Sequence, residues 1–155
     1  MNKLNRTILF RGRRSDNKNW VIGSLHVNEA ASQYVISTGL RDYSVDPKTV
    51  GQYSGFAGVA KDGFTEKQIY EGDVILVEST NKILAVQWYG GAFRVVTPKE
   101  KAALDSGIHP YMSDYRYPEL LVNVIDSTPV RVIGNVYDNP ELMRFKKEDR
   151  PPIPD

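Results

Sequence analysis

In the stretch KQIYEGDVILVE, residues 67 to 78, two carboxylates, Glu71 and Asp73, stand one residue apart at the mouth of an apolar run. Paired acids are the equipment of general acid–base chemistry, in which one carboxyl is held protonated and the other ionised. That chemistry needs both groups on one substrate, and a regular strand would put residues 71 and 73 on one face. Gly72 argues against regular geometry there, because a glycine suits a positive φ or a close backbone approach. Asp73 in turn suits a bond to a nearby amide as the chain enters a strand. We read EGD as the turn that starts a strand, and expect no catalytic residues.

The rest of the sequence offers little chemistry. There is no cysteine, which removes disulfides, thiolate metal sites and a cysteine nucleophile. His26 and His109 are the only histidines. A metal site would have to recruit Asp114 or Glu119 beside them without any recognisable ligand spacing, so we expect no metal. No phosphate-binding loop, HExxH, GxSxG or calcium loop occurs, and the glycines at 51, 55 and 58 do not form a dinucleotide fingerprint. No cofactor is expected.

Two surfaces invite a binding role. Among residues 1 to 18 the basic side chains Lys3, Arg6, Arg11, Arg13, Arg14 and Lys18 face only Asp16. Arg11 and Arg13 would share a strand face, so Arg11, Arg13 and Arg14 are candidate phosphate ligands, with Trp20, beside Tyr34, a stacking platform for a base. The plainer reading is a solvated edge strand that uses charge to resist unwanted pairing. We favour it, because twenty basic against nineteen acidic residues leave a net charge of only +1. The second surface is the loop carrying Tyr111, Met112, Tyr115, Arg116 and Tyr117. These types are enriched at protein interfaces. The loop is either an oligomer contact or a segment packing its own side chains onto the body of the protein, and both readings bury it in part.

The elements that position these residues are mostly strands. RTILFRGRR and WVIGSLHV, joined by the turn formers SDNKNW, read as a hairpin; QYVIST is a third short strand, and TVGQYSGF follows the turn at Asp46 and Pro47. DVILVE, ILAVQW, AFRVVT and PVRVIGNVY then alternate with polar or glycine turns. PKEKAALDSG is a short helix with Pro98 in its first turn and Gly107 at its end. The apolar run from Leu120 to Ile125 fits a strand or a short helix, and DNPELM fits one helical turn capped by Asp138 or Asn139.

At 155 residues the chain has the length of one domain with an appended lobe. Short strands at regular spacing predict a mainly β fold with minor α: a small SH3-like barrel with an N-terminal β-hairpin lobe and one or two short helices. We divide it into an N-terminal β lobe over residues 1–66 packed on the barrel and a barrel over 67–143 with a helical or loop insertion at 98–120. A charged, proline-rich tail follows over 144–155. The expected core is Val74, Leu76, Leu84, Val86, Trp88, Phe93, Val95, Val130, Val132 and Ile133, with the other strand face partly covered by the N-terminal hairpin. No apolar run approaches the roughly 18 residues of a membrane helix, and the N-terminal stretch lacks a signal-peptide core, so a cytoplasmic protein is expected.

The segments FRGR, NWVIG, TVGQYSGF, KQIYEGDVI, VQWYGGAF and VRVIGNVYDNPEL occur in an order and spacing that resemble the YopX-type proteins of phages and prophages. The resemblance spans most of residues 6 to 143. It implies a mainly β protein of phage origin that self-associates, and it supplies no catalytic residues to carry over. The leading expectation is a non-enzymatic interaction or assembly protein that forms homo-oligomers, with phage or host proteins as further partners. The alternative is a nucleic-acid-binding accessory factor that uses the basic N-terminal strand.

Overall fold

The structure, a computed structural model, describes residues 6–108 and 117–144. Its strands are β1 (Phe10–Arg13), β2 (Trp20–Asn28), β3 (Gln33–Ser37), β4 (Asp42–Ser44), β5 (Gly51–Val59), β6 (Glu66–Tyr70), β7 (Asp73–Val77), β8 (Lys82–Tyr89), β9 (Ala92–Val96) and β10 (Val130–Asn135). Two helices, α1 (Pro98–Asp105) and α2 (Leu121–Ser127), complete the described elements together with short 3-10 turns. The strands form one sheet in the order β4-β3-β2-β1-β5-β10-β7-β8-β9, with β6 paired on β5.

The fold is mainly β, as expected, but the sheet is not a closed SH3-like barrel. Among the described residues the far edge of β9 meets no strand returning from β5. It is met by the chain entering α2, where the Val95 amide donates to the Glu119 carbonyl at 2.9 Å and Arg94 bridges Leu120. On the other side, β10 joins β5 through the single parallel pair Arg131 and Val59. The N-terminal strands curl as well, so that Val45, just beyond β4, bridges back to Arg14. Inside that curl Ile36 and Val45 are buried, and Gly12 lies so close to them that an added Cβ would sit 3.1 Å from the Val45 side chain.

The main core lies in the second half. Ile75, Val77, Leu84, Val86, Val95, Val130 and Val132 share one face and are met by Ile69 and by Leu121. Leu121, Val124 and Ile125 recur at helical spacing while Asn123 and Asp126 are exposed, so the run left open by periodicity is a helix. The opposite face buries Val74, Ala85 and Val96. Leu142 in the 3-10 turn Pro140–Met143, which lies against Gly134, and α1, whose Lys101 reaches Gln87, pack on this side of the sheet. Thr97 caps α1, accepting from the Glu100 amide at 3.2 Å and donating to its carboxylate at 3.1 Å.

Trp88 corrects the expected core. It stands on the core face of β8, opposite Phe93, yet is 49 % exposed. The strand pair runs on past the cover of α2 into the Gly90–Gly91 turn, where both residues take positive φ, and Trp88 sits on that overhang against the edge of Phe93. Leu76, Phe93 and Ile133 are partly rather than fully buried.

Candidate functional site

The motif-bearing segments converge on one buried cluster. Strand alternation points Arg11 and Arg13 to one side of β1 and leaves Gly12 facing the small N-terminal core. Arg11 lies opposite Gly51 of β5, where a Cβ would fall 2.5 Å from the Glu71 carbonyl oxygen. Only a glycine permits that approach, and through it Arg11 is brought to the EGD turn. Gly72 in that turn has φ +92°.

Arg11 is 8 % exposed and Asp73 only 1 %. A guanidinium nitrogen of Arg11 stands 2.6 Å from Asp73 Oδ1, and the same group is 3.4 Å from the Glu71 carbonyl. Asp73 Oδ2 accepts from the Tyr70 amide at 2.8 Å, which is the turn bond expected of it. The rings of Trp20 and Tyr70 each lie 4.9 Å from the guanidinium carbon, so the cation is held against two aromatic faces. Burial pushes the Asp73 carboxyl above its ordinary value, opposed by Arg11 and the Tyr70 amide.

A second layer adjoins the first. Arg13 pairs with Asp138, whose other oxygen accepts from Trp20 Nε1 at 2.8 Å and from Asn135 Nδ2 at 3.0 Å. Asn135 Oδ1 accepts in turn from the amides of Tyr137 and Asp138 at 3.0 and 2.8 Å. Partial burial would raise the Asp138 carboxyl, but bonds from Arg13, Asn135 and Trp20 outweigh it and hold the group below its ordinary value. The ring of Tyr137 stands 5.9 Å from that of Trp20. A cleft of about 400 Å³ opens over the cluster, with Arg11, Lys61, Lys67, Asp73, Asn135 and Asp138 on its walls.

The two acids of the EGD turn do not converge. Asp73 answers to Arg11, whereas Glu71 accepts from the Gln52 amide at 3.4 Å and is raised by burial, with Lys101 and Arg11 opposing. Among the described residues no group of three or more acids and histidines is placed to hold a metal ion. His26 and Glu119 are exposed, while His109 and Asp114 lie outside the described residues.

Of the candidate phosphate ligands, Arg11, Arg13 and Trp20 come together in the cluster. Arg14 points to the other face of the strand, paired with Asp16 at 2.6 Å and lying 4.4 Å over the Tyr43 ring. Tyr34 lies opposite Val27, at the far end of β2 from Trp20. Tyr117 is 60 % exposed and carries Arg94 over its ring at 4.8 Å, while Tyr111, Met112, Tyr115 and Arg116 lie outside the described residues. Sequence reasoning missed Tyr70, Asn135 and Asp138 as members of the site. Their signal was their place in the same quoted segments as Asp73 and Trp20.

Fold and site together define an open, mainly β protein whose two curled halves are joined through a buried arginine–aspartate pair beside two aromatic rings. The sequence model of the YopX protein family matches residues 5–144, and the chain belongs to that family. Comparison with curated proteins yields no significant match. Among the described residues no helix is long and apolar enough to cross a membrane.

Proposed function

We propose that this protein is a non-enzymatic interaction or assembly module of phage or prophage origin, acting in the cytoplasm and associating with copies of itself. The observation that carries this reading is the set of large aromatic side chains outside both cores: Phe64 is 92 % exposed, and Trp88 and Tyr117 about half or more. Aromatic side chains that a protein's own core does not take are the usual anchors of interfaces. The non-enzymatic part is supported by the cluster itself, where Asp73 and Asp138 are each committed to an arginine and to further hydrogen bonds. Sedimentation velocity on the full chain, from micromolar to near-millimolar concentration, tests the reading. A concentration-dependent multimer is expected, and a monomer throughout refutes it.

The nucleic-acid alternative draws less support. Arg11, Arg13 and Arg14 each face an aspartate of the same chain, which lowers the charge this surface offers to phosphate. Fluorescence polarisation with single-stranded and duplex oligonucleotides at low salt should show no binding. Binding that weakens steeply with added salt would favour the accessory-factor reading.

A further inference from the structure

We propose that Phe64 and the groove beside it form a twofold interface between two copies of this chain, each copy's Phe64 seated in the other's groove. The inference rests on the self-association reading and names its contact surface.

Phe64 is a knob carried into solvent by a hydrogen-bonded turn. It belongs to the turn between β5 and β6, where the Gly63 amide donates to the Ala60 carbonyl at 2.9 Å and the Ala60 amide to the Thr65 carbonyl at 2.7 Å. Asp62 Oδ1 accepts from the amides of Phe64 and Thr65 at 2.8 and 2.9 Å, and its other oxygen accepts from the Thr65 hydroxyl. Gly63 sits at φ +79° with the Arg131 guanidinium 3.1 Å from the place of a Cβ, so the turn is pinned from behind as well. The result is a turn of fixed backbone that presents a ring 92 % exposed to water. A turn whose backbone is already ordered loses little backbone freedom when its side chain is captured.

The hole lies next to the knob. A shallow groove of about 330 Å³, floored by Ala57, Val59, Ile125, Pro129 and Val130, has Phe64 along one side and Glu66 at its rim. Its floor is apolar and it has room for a benzyl side chain. A knob beside its own matching hole is self-complementary under a twofold axis passing between them: both copies exchange rings at once and the assembly closes as a dimer. The charges agree with this arrangement. Lys61 beside the knob and Glu66 at the groove are both exposed, and neither side chain has an ion-pair partner among the described residues. The twofold exchange sets each copy's Lys61 toward the other copy's Glu66.

Sedimentation velocity on the full chain and four variants tests the interface. Phe64→Ser should weaken association at least tenfold, since both rings are lost at once. Lys61→Glu should weaken it, and Lys61→Glu combined with Glu66→Lys should restore it. Leu40→Ser, at an equally exposed apolar residue in another turn, should leave association unchanged. If the wild type assembles and Phe64→Ser assembles equally well, the interface is overturned while self-association stands. A wild type that remains monomeric overturns both.

Discussion

Replacing Asp73 by asparagine removes one charge and almost no volume, and so isolates what the buried carboxylate does. The asparagine would still present an oxygen to the Tyr70 amide, which now sits 2.8 Å from Oδ2, but Arg11 would be left 8 % exposed with no opposing carboxylate. Breaking a buried ion pair from one side costs about 3 to 5 kcal/mol, because a charge remains without water or partner. The two rings at 4.9 Å keep part of the cation's stabilisation, roughly 0.5 to 2 kcal/mol, which places the expected loss near the low end, about 3 kcal/mol. For a chain of this length that corresponds to a fall in melting temperature of about 6 to 12 °C. Urea unfolding followed by tryptophan fluorescence measures it, Trp20 lying against the site. Arg11→Met added to Asp73→Asn removes the stranded cation and should return part of the lost stability. Should Asp73→Asn unfold within about 0.5 kcal/mol of the wild type, Arg11 and Asp73 do not form a buried pair.

Other perturbations separate the parts of the structure. Gly51→Ala should destabilise by about 1 to 3 kcal/mol in the same unfolding assay, because its Cβ meets backbone at 2.5 Å; a neutral result would mean β5 does not approach Glu71 this closely. Trp88→Ala should cost about 1 to 2 kcal/mol and less than Val86→Ala, since Trp88 is half-exposed and Val86 is 2 % exposed; the reverse order would restore Trp88 to the core. The folded-state pKa of Asp138 lies below its unfolded value, so its contribution is present above the unfolded value and is lost as pH falls through the folded one. The stability difference between wild type and Asp138→Asn should therefore be full at neutral pH and shrink on acidification below the ordinary carboxylate range. A difference independent of pH would mean that the bonds to Arg13, Asn135 and Trp20 do not favour the charged form.

Elements written in local pattern were legible, and those decided by tertiary contact were not. β7, β8, β9 and β10 announce themselves as β-branched runs between turn formers, and the capped helix after Thr97 follows from Pro98, its helix formers and Gly107. β6 was missed because Glu66, Lys67 and Gln68 are polar and exposed, so nothing but pairing to β5 makes them a strand. Barrel closure was over-read for a similar reason. Strand spacing says how many strands there are, whereas the edge of β9 is occupied by the irregular chain at Glu119 and Leu120. At the site, the EGD turn, its positive-φ glycine and the Asp73 amide bond were readable from neighbours in sequence. Arg11 was not, because a lone strand arginine looks like edge charge until the fold brings Asp73 to it across the chain.

The side chain of Arg11 reports most directly on whether the two halves meet at a buried pair. In a two-dimensional nitrogen–proton spectrum, its guanidinium protons should exchange slowly with water and be shifted upfield by the neighbouring Trp20 and Tyr70 rings. Exchange as fast as that of exposed Arg41, with no ring-current shift, would contradict the account.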